Sequence, residues 1–161
     1  MGRPKDIGTA AETAVVRALW GLGFPHAERR ALTGALDQGD ITGTPGICWE
    51  VKGGQQTKAP SDEQIAAWMR ETETERLNAR ADIGVLVLQR HGVGPGHASR
   101  WWAYLPTLWI PRLLLRDHAL LSDGIEWEDL LRFPSRVHLG DACALLRVAG
   151  YGQPLDEAVP R

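Results

Sequence analysis

The sequence predicts an α/β domain in the order α-β-β-β-α-β-β, with a mixed central sheet and a helical C-terminal tail. Three observations predict it. Residues 7–22 carry apolar side chains at helical spacing, residues 47–52 alternate as a half-buried strand does, and residues 83–88 form a nearly continuous apolar run after an intervening helix. The last two segments and the helix between them make a βαβ unit, for which parallel strands and a right-handed crossover are expected. The chain has 161 residues and 43% hydrophobic content, enough for one domain that buries its own core without a disulfide scaffold. Cys48 and Cys143 stand apart without a CxxC partner, which argues against structural zinc.

Each element follows from local signals. In the first helix, Ile7, Ala11, Ala14, Val15, Ala18 and Leu22 form one apolar stripe, and Gly21 with Gly23-Phe24-Pro25 ends it. His26 to Leu32 reads as the first strand and Gly39 to Thr42 as the second. Gly43-Thr44-Pro45-Gly46 turns the chain into the third strand, Ile47 to Lys52. There Ile47, Trp49 and Val51 share one face, and Cys48, Glu50 and Lys52 share the other. After a loop from Gly53 to Pro60, Ser61-Asp62-Glu63-Gln64 matches a capping box and opens a helix to about Ala79. Ile83 to Leu88 is the fourth strand, Arg90 to Arg100 a glycine-rich surface loop, and Trp101 to Leu105 the fifth strand. From Pro106 onward the chain reads as mostly helical, with Asp141 capping a last helix that Gly150 ends. Two parts result: a core over residues 1–105 and a helical extension over 106–161 packed on the same domain.

Charge narrows the function. The net charge is −2, so contact with nucleic acid has to use a local patch and not bulk positive charge. No apolar run is long enough to span a bilayer; the best, Leu108 to Leu115, is broken by Pro111 and Arg112. The start of the chain carries no secretory pattern, so no membrane association and a cytoplasmic location are expected. Among fifteen arginines there are three lysines, Lys5, Lys52 and Lys58.

The informative residues are Asp40 and Glu50-Val51-Lys52. Glu50 and Lys52 leave the same strand face ~7 Å apart, and Asp40 lies on the neighbouring strand. Two carboxylates and an ammonium can thus converge at one end of a sheet, and the Val51 carbonyl can join them. Such hard oxygen donors suit Mg²⁺ or Mn²⁺, which accept phosphate oxygens as further ligands. The competing reading is a solvated Glu-x-Lys ion pair on a half-exposed strand beside an ordinary Gly-Asp turn. Glu12 sits on the flank of the first helix's apolar stripe, from where it can face the hairpin without entering the core.

Taken together, Glu12 in Gly8-Thr9-Ala10-Ala11-Glu12, Asp40, and Glu50-Val51-Lys52 resemble the PD-(D/E)XK nuclease superfamily, and within it the Holliday-junction-resolvase-like endonucleases. The resemblance covers about residues 5 to 105. It implies a restriction-endonuclease-like αβββαβ core and divalent-metal-dependent hydrolysis of DNA phosphodiester bonds. Mg²⁺ is the implied cofactor, Mn²⁺ its substitute, and a homodimer the frequent assembly. By matching position, Asp40 and Glu50 are implied metal ligands, Lys52 the catalytic lysine, and Glu12 an assistant to a second metal or its water. Where the family carries a proline before the aspartate, this chain has Gly39. The expected function is therefore a DNA endonuclease acting on branched or recombination DNA such as a four-way junction. The alternatives are a restriction- or repair-type nuclease on ordinary duplex, or a non-catalytic DNA-binding module that retains the fold.

Further candidates for DNA contact are Arg29 and Arg30, of which a strand places only one on the active face, Lys58 in the loop after Lys52, and Gln64. For Gln64 the competing role is the capping box; for Lys58 it is a solvated loop position. Arg90-His91 and His97 flank Gly92-Val93-Gly94-Pro95-Gly96, which lacks the Lys-Ser/Thr of a P-loop. Trp20, Trp49 and Trp68 fall in elements expected to pack in the core.

Overall fold

Helix α1 (Pro4–Gly21) opens the fold in the computed structural model, which describes residues 4–31, 34–115 and 134–155. Its buried face carries Ala11, Ala14, Val15, Val16 and Leu19, so the helix is turned toward Val16 and Leu19 relative to the expected stripe, and Ile7 is exposed. The helix stops where Gly23, at φ 97°, lets the Phe24 N–H reach back to the Leu19 carbonyl at 3.0 Å.

Among the described residues the sheet has six strands in the order of the chain, β1 (Glu28–Arg29), β2 (Ile41–Thr42), β3 (Ile47–Lys52), β4 (Ile83–Leu88), β5 (Trp102–Pro106) and β6 (Pro134–His138). β3 and β4 run parallel, with helix α2 (Asp62–Asn78) between them in sequence; the other neighbours are antiparallel. The βαβ unit and the mixed sheet therefore stand as expected. On one face, Ile47, Trp49 and Val51 join Val85, Val87 and Leu105 against α1. On the other, Leu86, Leu88 and Tyr104 pack with Trp68 and Met69 of α2. The alternation read from β3 thus divides the two layers.

The first two strands are shorter than expected. β1 keeps two residues of the expected stretch, whose last residue, Leu32, lies outside the described residues, and β2 begins at Ile41 instead of Gly39, because Gly39 takes φ 86° and leaves the extended conformation. The end of the chain also departs from the helical expectation. Pro134–His138 forms edge strand β6 and pairs with β5 across the expected boundary at residue 105. Helices α3 (Trp109–Leu115) and α4 (Leu139–Val148) flank it in sequence. α4 buries Leu139, Ala142, Cys143 and Leu146 at i, i+3, i+4, i+7 against the α1 side of the sheet. Its N-cap is His138, and Asp141 lies inside the first turn, where a carboxylate favours the helix dipole without capping. Trp49 and Trp68 are buried as expected, but Trp20 is exposed, its indole N–H donating to the Ala27 carbonyl.

Candidate active site

Asp40 is placed by the turn that Gly39 makes. The Asp40 N–H donates to the Trp49 carbonyl at 2.8 Å, and Asp40 Oδ2 accepts from the Val51 N–H at 2.8 Å. A Cβ on Gly39 would stand 2.7 Å from Cys48 Sγ and 2.8 Å from the Trp49 carbonyl oxygen, so the close approach of this turn to β3 depends on glycine. Peptide groups alternate sides along a strand, and the Lys52 carbonyl accepts from Gln89 on the β4 side. The Val51 carbonyl therefore faces the β2 side, where the Asp40 carboxyl sits.

Glu50 and Lys52 project from β3 toward α2. Glu50 is buried, and its Oε1 accepts from Lys52 Nζ at 2.5 Å; Lys52 also reaches Glu71 of α2 at 3.0 Å. Side-chain exposure of 8% for Glu50 and 19% for Lys52 rules out the solvated ion pair considered from the sequence. Burial, the Glu50 charge and a lesser push from Glu12 raise Asp40 to about 8, although the Val51 N–H works the other way. Burial and the hydrogen bond and charge of Glu75 raise Glu50 to about 8, against the pull of Lys52. Burial likewise raises Glu75 to about 7. Burial disfavours the Lys52 charge, but Glu50 and then Glu71 outweigh it and hold the ammonium above its ordinary range.

Glu75 was missed in the sequence. It is buried on α2, shares a hydrogen bond with Glu50, and leaves Oε2 buried without a partner. The signal was present: Trp68, Thr72 and Glu75 recur at i, i+4, i+7, which puts Glu75 on the helix face turned to the sheet.

The remaining candidates surround this cluster without joining it. Glu12 lies on α1, across the sheet, where its Oε2 accepts from Arg29 Nε at 2.8 Å. Arg29 also donates to Thr9 Oγ1, and Arg30 donates to the Gln38 side chain while its Nε is buried without an acceptor. Glu12, Arg29, Arg30, Asp37 and Asp40 line a cleft of about 330 Å³ that opens beside the carboxyl cluster. Lys58 is exposed just after a 3₁₀ turn (Gln55–Thr57), and Gln64 is exposed with its backbone N–H capped by Ser61 Oγ at 3.1 Å.

Among the described residues no three Asp, Glu, His or Cys side chains form a ready-made cage for a metal ion. Mg²⁺ does not need one, since one or two carboxylates, waters and substrate phosphates satisfy it. The donors present fit that requirement. Asp40, Glu50 and the Val51 carbonyl are all hard oxygens at one end of β3, and the carboxyls that a cation would deprotonate are those whose pKa is raised. The chain matches no family model, no curated protein and no solved structure. What bears on function is therefore the site itself.

Proposed function

We propose that the chain is a divalent-metal-dependent endodeoxyribonuclease of the PD-(D/E)XK type that hydrolyses phosphodiester bonds in branched or recombination DNA. The observation that carries this reading is the meeting of Asp40, Glu50 and Lys52 at the end of β3, two carboxyls pushed to about 8 beside an ammonium that stays charged. A structural ion pair needs one carboxylate per ammonium. Here Glu50, Glu71 and Glu75 gather around Lys52, with Asp40 against Glu50. Crowded buried carboxyls hold their protons rather than carry uncompensated charge, and packing alone gives no reason to gather them here. A divalent cation can take the place of those protons.

Asp40, Glu50 and the Val51 carbonyl would hold Mg²⁺, or Mn²⁺ in its place. When bound, the cation supplies Lewis acidity toward a phosphate oxygen and acidifies water. Lys52 meets the negative charge that develops on the phosphoryl oxygens, from a position its bonds to Glu50 and Glu71 fix before the reaction begins. Glu12 stands beyond Asp40 and raises its basicity through charge. Arg29, Arg30, Lys58 and Gln64 are candidate contacts to the DNA around this centre. One site cuts one strand, so symmetric cleavage of a junction takes a C₂ homodimer, the commonest closed assembly.

The test is cleavage of an end-labelled four-way junction beside a linear duplex of the same sequence, with Mg²⁺, Mn²⁺ or EDTA. Metal-dependent nicks in the junction arms are expected. Equal cutting of the duplex moves the target to ordinary DNA, and no cutting of either with both metals removes the nuclease reading. Sedimentation in the presence of junction DNA is expected to show two chains per DNA.

A further inference from the structure

The sheet face that carries Lys52 continues beyond α2. Strand register aligns Lys52 with Leu88, Leu88 with Trp102, and Trp102 with His138; one row away it aligns Tyr104 with Arg136. Paired residues project to the same face, so Trp102, Arg136 and His138 lie on the Lys52 face at the same end of the sheet. Three strand spacings put His138 ~14 Å from Lys52.

Here the aromatic and cationic side chains form one cluster. The Trp102 indole stacks on the His138 imidazole with centroids 5.1 Å apart and planes 14° from parallel. The Arg90 and Arg136 guanidiniums lie over the same indole, 4.2 Å and 4.3 Å from its ring. Arg90 Nη1 is 3.1 Å from His138 Nε2. Among the described residues no carboxylate pairs with either arginine; Asp141, 3.6 Å from His138 Nδ1, is the acid at the cluster's edge. Arg90 Nη1 also donates to the Arg100 carbonyl at 3.5 Å, so that nitrogen is engaged. Stacking on the ring fixes the Arg136 guanidinium plane and turns its N–H donors outward, the arrangement suited to gripping phosphate oxygens in a bidentate manner. Two like charges gathered on one indole repel each other, and an anion relieves that repulsion. In a chain of net charge −2 this is a local positive patch beside an acidic centre.

We infer that Arg90, Trp102, Arg136 and His138 form an anchor for the phosphodiester backbone of bound DNA. The separation from Lys52 sets the anchor within a few nucleotides of the bond that is cut. The placement relative to the cut rests on the nuclease reading; the binding chemistry does not.

Fluorescence anisotropy with a labelled short duplex and a labelled four-way junction tests it on the full chain, with Ca²⁺ replacing Mg²⁺ and NaCl varied. Arg136 is exposed on an edge strand, so Arg136→Gln is expected to fold. It should weaken binding about tenfold and reduce the slope of log affinity against log salt by about one. Arg136→Lys should keep the slope, and Arg17→Gln, exposed on α1 across the sheet, should bind as wild type. Wild-type affinity and slope in Arg136→Gln overturn the anchor, as does a loss of slope in Arg136→Lys equal to that in Arg136→Gln, since lysine keeps the charge that a phosphate contact counts. Binding that depends on Arg136 without any metal-dependent cut leaves the anchor standing and removes the nuclease. Cleavage together with Arg136-independent binding does the reverse, and a wild-type chain that binds neither DNA overturns both.

Discussion

Lys52 is the residue at which structure and chemistry separate most cleanly. A solvated pair on a strand contributes ~0–1 kcal/mol, but removing Lys52 would leave Glu50 buried beside Glu75 with its compensating cation gone. Lys52→Ala therefore mixes folding with function, and Lys52→Arg is the informative change. It keeps the charge but replaces a compact ammonium with a longer planar fork. The single-turnover rate of DNA cleavage should fall by on the order of a hundredfold or more, ~2.7 kcal/mol in the barrier, while Arg17→Lys cuts as wild type. The two carboxyls call for a different readout. Asp40→Asn retains an oxygen for the Val51 N–H, and Glu50→Gln retains the shape of its side chain, so both variants should fold. Both should lose Mg²⁺-dependent cleavage and still bind DNA in Ca²⁺. A carboxamide variant that cuts at the wild-type rate removes that residue from the metal site.

At the scale of elements, the turn before Asp40 makes the sharpest demand. Gly39 combines φ 86° with a Cβ position closed by Cys48 Sγ and the Trp49 carbonyl oxygen. Gly39→Ala should cost about 1–3 kcal/mol and lower the melting temperature, and the displaced Asp40 should lose cleavage activity as well. Proline, with φ fixed near −65°, fits there no better. The elements that were legible in the sequence share a cause. β3 and β4 run from Ile47 to Lys52 and from Ile83 to Leu88 as read, because both faces are buried and their apolar content is dense. β6 is not legible as a strand within the mostly helical reading after Pro106, because Val137 is its single strongly apolar residue, and pairing with β5 stabilises it where local pattern does not. The site divides the same way. Glu50 and Lys52 are readable from strand parity and Asp40 from its place beside β3, although it sits in the turn before β2 and not on the strand, whereas Glu75 lies in a helix whose polar residues look solvated until α2 is laid on the sheet.

For the whole molecule, the crowded carboxyls tie stability to pH. Asp40 and Glu50 are raised to about 8 and Glu75 to about 7, from ordinary values of 3.8, 4.5 and 4.5. Between those limits the folded state binds more protons than the unfolded one, so stability falls as pH rises from about 5 to 8. Thermal melts in EDTA at pH 5.5 and 8.0 should give the lower melting temperature at pH 8.0. Added Mg²⁺ should raise it more at pH 8.0, where fewer protons compete for the oxygens. A melting temperature that rises with pH in EDTA would contradict the carboxyl arrangement. The strand order has a temporal consequence of its own. Each strand pairs with the one made just before it, so the sheet can assemble in the order of synthesis. Every residue of the carboxyl cluster has been made by Glu75, and Arg136 follows roughly sixty residues later. At 5–20 residues per second, the nascent chain carries its acidic centre for about 3–12 s before the basic anchor is complete. A chain built in that order presents its acidic centre before the basic strand that would hold a polyanion is in place.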